Sequence, residues 1–147
     1  MNATDVPALR ARLLALMDTF PLHQRLGFEL VDAGDGRCEA RVTAGPDVLN
    51  AGGVLHGGVL YAVLDVAAFC AAISVTPPGV NAVTCDLHVQ ALRATPPGAV
   101  LALTAQVRKL GKRLVFVDAE ATLDGQVVAL ARVTKSLIPF PAGAALG

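Results

Sequence analysis

The chain has no tryptophan, a single tyrosine and five phenylalanines. Platforms on which nucleobases could stack are therefore scarce. It also lacks an excess of either charge, since 12 Lys and Arg balance 12 Asp and Glu for a formal net charge of +0. A nucleic-acid-binding surface shows itself as a basic patch or stripe, and this balance argues against one. Cysteine is sparse: Cys38, Cys70 and Cys85 make an odd number with no CxxC spacing. Neither a disulfide framework nor a zinc site is signalled. Cys70 and Cys85 sit among apolar residues and read as small core fillers, which fits a cytoplasmic, reducing setting. His23 and His88 are not placed near a ligand set, so no metal is expected. The N-terminal stretch has no basic region followed by a continuous apolar run, so a signal peptide is not expected. One segment, residues 57–75, raises the question of a membrane. Its length is marginal, Asp65 lies at its centre and no Lys or Arg flanks it closely. A membrane span is not expected on these grounds.

Apolar residues are what the chain has in abundance. They make up 54% of its 147 residues, against 16% charged, which suits one domain with a single core and leaves little room for disorder. The mean hydropathy of +0.57 is high for a small soluble monomer. Part of the apolar surface is expected to be covered by a second copy of the chain.

Residues 5–18 carry leucines and methionine at helical spacing, with Thr4 or Asp5 to cap the helix and Pro21 to stop it. Residues 28–32 and 37–43 read as two strands joined across "AGDGR". The glycine-rich loop "AGPDVLNAGGVLHGG" follows. Next comes an almost wholly apolar segment from Gly57 or Gly58 to the "TPPG" at 76–79. It is too long for a strand and rich in Ala and Leu, so it reads as a buried helix. Four strands complete the chain, over 82–92, 99–110, 114–123 and 126–139, with Asp124-Gly125 as a hairpin signal. The order implies an α+β domain in which a twisted antiparallel sheet wraps one long hydrophobic helix. Residues 1–147 form one domain in this reading, with its core over about 28–138 and a loose tail over 139–147.

Within the apolar helix stands one carboxylate, Asp65. An unpaired buried charge costs several kcal/mol, so something nearby must want it there. The pattern around it reads "N-AGGVL-HGG-VLYAVL-D" from Asn50 to Asp65. Together with "AVTCDLHVQAL" and the closing hairpins from Val107 to Leu137, it resembles the hotdog-fold acyl-CoA thioesterases of the PaaI-like, phenylacetic acid degradation type. The resemblance covers Phe28 to about Ile138. It implies hydrolysis of acyl-CoA, with coenzyme A as part of the substrate and no cofactor. It implies that Gly57 N–H and Asn50 hold the thioester carbonyl, that Asp65 activates water, that Thr84 holds that water or the carboxylate, and that His56 lies beside the thioester.

Elementary chemistry is compatible with these roles. A helix's first turn offers unpaired N–H groups and a partial positive charge, and Gly57 and Gly58 let a substrate approach that backbone closely. Asn50 reads equally well as a turn former, and His56 as a helix cap. Asp65 could act as a general base or attack the carbonyl itself, and sequence leaves both routes open. Tyr61, Ala68, Phe69 and Ala72 share a helical face with Asp65 and are candidates to line an acyl pocket. Lys112 and Arg113 lie in a hairpin turn, where they either reach the coenzyme A phosphates or are simply solvated. Gly57 and Asp65 stand eight residues apart, about 12 Å along a helix. Both cannot touch one carbonyl from the same chain, so the implied chemistry requires a homodimer with shared sites, a homotetramer being left open. The other readings are a hotdog dehydratase and a non-catalytic acyl-CoA-binding sensor.

Overall fold

The computed structural model describes residues 11–12, 15–77 and 79–141. Six antiparallel strands form one sheet in the order β1-β2-β4-β5-β6-β3. They are β1 (Phe28–Gly34), β2 (Arg37–Thr43), β3 (Val80–Ala91), β4 (Val100–Leu110), β5 (Leu114–Leu123) and β6 (Gln126–Pro139). A short helix, α1 (Pro21–Leu26), precedes the sheet, and the long helix α2 (Gly57–Ile73) lies against its inner face. This is the α+β hotdog arrangement. No helix among the described residues is long and apolar enough to cross a membrane.

Inward buried positions alternate with outward ones along the strands, most cleanly in β2. In β2, Cys38, Ala40 and Val42 point in while Arg37, Glu39 and Arg41 point out. In α2, Val63, Leu64, Ala67, Ala68, Cys70, Ala71 and Ala72 are wholly buried. Small residues let the sheet come close to the helix, and each buried Val or Leu contributes about 1.5–3 kcal/mol. The helix end is tied down by Ser74, whose buried hydroxyl donates to Ala71 O at 2.7 Å and accepts the Gly36 N–H at 2.9 Å. The β1–β2 and β5–β6 turns are both Asp-Gly pairs at positive φ (Asp35 51°, Gly36 74°; Asp124 50°, Gly125 77°). That conformation matches the twist of a two-residue hairpin.

Four expectations need correction or limits. Pro21 does not merely stop a helix: it opens α1, because a proline at the first helical position has no N–H to leave unpaired. The helix expected over 5–18 is seen at residues 11–12 and 15–17, and the rest of it lies outside the described residues. Cys85 is exposed, not a core filler. The β3–β6 register shifts between Thr84 and Asp86, and this bulge turns Cys85 outward, where its thiol donates to Thr134 O at 3.4 Å. The start of the tail is anchored, not loose: Pro139 ends β6, and the Phe140 N–H donates to Gly79 O at 2.9 Å. Residues 142–147 lie outside the described residues.

Candidate functional site

The β3 bulge has a second effect. Before it, Ala82 and Thr84 face inward; after it, Leu87 and Val89 do. Thr84 is thereby aimed at α2, opposite Lys135 of β6, its Cα partner. Along β6, Ala129, Ala131, Val133 and Lys135 occupy successive inward positions and all are buried. A lysine thus enters the interior on a strand's alternation alone.

The three polar side chains meet. Thr84 Oγ1 donates to Asp65 Oδ1 at 2.7 Å. Lys135 Nζ donates to the same Oδ1 at 2.9 Å and to Thr84 Oγ1 at 2.6 Å. The Lys135 side chain is 2% exposed and that of Asp65 31%. The ammonium also lies 5.9 Å from the centre of the Phe69 ring, within reach of a cation–π contact. Asp65 Oδ1 therefore carries two donors. Oδ2 has no hydrogen-bond partner among the described residues and is not buried.

Asp65 borders a cavity of about 500 Å3. Asp65, Thr84, Lys135 and Asn81 form its polar wall; Leu16, Met17, Phe20, Val66, Phe69 and Phe140 form the apolar one, and His23 completes it. His23 Nδ1 bonds the Met17 carbonyl at 2.9 Å, which holds the end of the N-terminal helix over the cavity. A larger groove of about 770 Å3 crosses the outer face of the sheet, lined by Arg37, Arg108 and Arg132 and by Glu39, Asp118 and Glu120. Its charges balance and it contains none of the Asp65 network, so the smaller cavity is the candidate site.

The N-terminus of α2 forms a second polar cluster. His56 is the N-cap, its Nδ1 accepting the Gly58 N–H at 2.9 Å. An accepting Nδ1 leaves the proton of a neutral ring on Nε2, so the exposed edge of the ring is a donor. A Cβ on Gly58 would meet His56 Nδ1 at 3.0 Å, whereas one on Gly57 would meet nothing within 4 Å. The Gly57 N–H has no acceptor among the described residues. Asn50 Oδ1 accepts the Gly52 N–H at 2.9 Å and the Val54 N–H at 3.3 Å. Asn50 is therefore a turn former, and those two bonds fix its amide so that Nδ2 remains as a donor.

The sequence-predicted residues thus divide. Asp65, Thr84 and Phe69 come together at the cavity, while Asn50, His56, Gly57 and Gly58 gather at the start of α2. Tyr61 is exposed, its hydroxyl donating to Val89 O at 3.3 Å, and it does not line the cavity. Ala68 and Ala72 are fully buried and do not line the cavity. Three and seven positions on from Asp65, they stay within about 60° of it around the helix and so share its face. Each is a single methyl group covered by packing, and Ala72 lies about 10 Å further along the axis. Lys112 and Arg113 are exposed in the β4–β5 turn, outside the cavity lining. Lys135 is the residue that motif reading misses; its inward phase in β6 is the signal that finds it. A further buried pair, Cys38 and Cys70, lies in the core, where a side-chain hydrogen bond with Cys70 that favours the protonated thiol, and then burial, push Cys38 well above its ordinary range.

Residues 52–130 match the Thioesterase superfamily. Human acyl-coenzyme A thioesterase 13 is 30% identical over 110 residues, which cover 74% of this chain and 78% of that protein. Among solved structures, the PaaI protein of the E. coli phenylacetic acid degradation operon superposes with a TM-score of 0.78 at 26% identity, over 88% of this chain and 96% of that one. Zebra fish thioesterase superfamily member 2 superposes with a TM-score of 0.77 at 26% identity, over 90% and 98%. The chain is a hotdog-fold member of the Thioesterase superfamily, similar in structure to the PaaI-like thioesterases.

Proposed function

We propose that the protein hydrolyses acyl-CoA thioesters to a free acid and coenzyme A, at a site shared by two copies of the chain. One observation carries the reading. In a thioesterase-superfamily fold, a carboxylate lies at a cavity wall with Oδ1 held by two donors and Oδ2 free. The human relative named an acyl-coenzyme A thioesterase supports this substrate class.

In this account the thioester carbonyl oxygen takes the Gly57 N–H, the Asn50 Nδ2 being the second donor. Such donors each contribute about 3 kcal/mol as negative charge builds on the oxygen. The His56 Nε2–H lies beside the thioester. A water donates one hydrogen to Asp65 Oδ2, which removes it as the water oxygen attacks. Thr84 spends its own proton on Asp65 and accepts one Lys135 hydrogen, so its second lone pair remains to orient the water. The tetrahedral intermediate collapses, the C–S bond breaks, and the proton on Asp65 passes to the departing thiolate. The apolar wall around Phe20, Phe69 and Phe140 takes the acyl group.

Gly57 and Asp65 both belong to α2, about 12 Å apart along its axis, too far for both to act on one thioester. The second chain supplies the missing half. β3 leaves one long edge unpaired at the end of the sheet, beside Thr84, and such an edge is a template for pairing with another copy. The test is a panel of acetyl-, hexanoyl-, phenylacetyl- and palmitoyl-CoA, assayed by released thiol. Turnover of at least one is expected. Tight binding with no turnover of any would replace the enzyme reading with that of an acyl-CoA sensor.

A further inference from the structure

We infer that Lys135 is a positioning residue for the hydrolysis, acting through Asp65. The inference rests on the reading of Asp65 as the base. Lys135 is 1% exposed and is one of very few buried polar or charged residues among those described. A lysine is kept in such a place only when its charge is matched, because desolvating an ammonium without a partner costs several kcal/mol. Its partner is the carboxylate to which the chemistry is assigned.

The geometry says what the lysine does there. Two of its hydrogens go to Asp65 Oδ1 and Thr84 Oγ1. Accepting from Lys135 turns the Thr84 hydroxyl so that its own hydrogen goes to Asp65. The closed triangle fixes the rotation of the carboxylate and makes its oxygens unequal. Oδ1 already accepts two hydrogen bonds, which leaves Oδ2 as the oxygen open to accept a proton. Lys135 cannot serve as the base, because its ammonium has no lone pair, and its backbone is held on both sides by pairing with Thr84 of β3 and Val115 of β5. Asp65 and His23 are the other ionisable side chains lining the cavity, and His23 is engaged with the Met17 carbonyl. Among the described groups at this wall, Lys135 is the one cation facing the carboxylate.

The experiment uses the full chain and whichever of the four acyl-CoA esters is turned over fastest. Lys135→Met keeps the length and apolar stem of the side chain and removes the charge. It should lower kcat about 10- to 100-fold, the scale of a misplaced catalytic group, with KM changed less than about three-fold. Lys135→Ala leaves a hole the size of the lysine stem, and added ethylammonium should restore part of its kcat in a saturable manner. In an Asp65→Asn background, Lys135→Met should have almost no further effect on kcat, because its action runs through the carboxylate. The inference is overturned if folded Lys135→Met keeps kcat within about three-fold of the parent, or if the two substitutions multiply independently. It is overturned equally if ethylammonium restores nothing to a folded Lys135→Ala. Absence of turnover by the parent chain on every ester would instead strike the thioesterase reading, and this inference with it.

Discussion

Thr84 and Lys135 are Cα partners across β3 and β6, and the Lys135 ammonium donates to Thr84 Oγ1 at 2.6 Å. Both side chains bond the same oxygen of Asp65. That relationship explains why an aspartate stands in an otherwise apolar helix. Its charge is matched by a cation 70 residues further along the chain, and the cost of taking it partly out of water is offset by two short hydrogen bonds.

Asp65→Asn removes the proton acceptor while keeping the shape. Turnover should fall at least about 10²-fold, the scale of losing a general base. The amide oxygen can still accept from Thr84 and Lys135. The buried ammonium loses its counter-charge, however, at a cost of up to about 3–5 kcal/mol, so the fold of the variant is established before its turnover is compared. The check is kcat for released thiol alongside the circular dichroism of the purified variant. Near-normal turnover by a folded Asp65→Asn variant would remove Asp65 from the mechanism.

Gly57→Ala and Gly58→Ala separate two uses of glycine at the start of α2. At Gly58 a methyl group collides with the His56 ring and displaces the cap, a loss of about 1 kcal/mol. The gain from replacing a helical glycine, about 0.5–1 kcal/mol, nearly offsets it. At Gly57 the methyl meets open space, so stability should hold or rise. Urea unfolding should therefore find both variants within about 1 kcal/mol of the parent, while kcat/KM falls in each. Full activity in Gly57→Ala would mean that no substrate approaches that N–H.

The exposed pair Lys112 and Arg113 gives a test of coenzyme A recognition. Replacing both with Ala should raise KM for an acyl-CoA and leave KM for the matching acyl-pantetheine thioester nearly unchanged, since the latter lacks the nucleotide phosphates. Equal effects on the two substrates would assign these side chains to a solvated turn.

Much of this is legible in the sequence, for identifiable reasons. The bounds of β2, β5 and β6 follow from Gly and Asp-Gly turns that flank clean alternation. The motif from Asn50 to Asp65 is local, so one stretch of chain displays it. What is not legible depends on phase and on distant pairing. Composition alone puts Cys85 in the core, but a bulge shifts the alternation of β3 by one residue. Ala68 and Ala72 share the Asp65 face by spacing, but spacing does not show that their short side chains are covered by packing and fall short of the cavity. Lys135 belongs to no motif and meets Asp65 only through the folded sheet. Its place in the inward series of Ala129, Ala131 and Val133 is nonetheless readable from the alternation of β6.

The shared site is the central claim, and mixed dimers test it most directly. Asp65→Ala and His56→Ala are first shown to be folded and inactive as separate homodimers, and then co-expressed so that chains pair at random. About half the dimers are mixed, and two-fold symmetry gives each of these one intact site and one doubly damaged site. If Asp65 of one chain works with His56 and Gly57 of the other, activity returns to about a quarter of the parent value. If both residues of a site came from one chain, every site in the mixture would lack one of them. No recovery in a sample shown to contain mixed dimers would contradict the account.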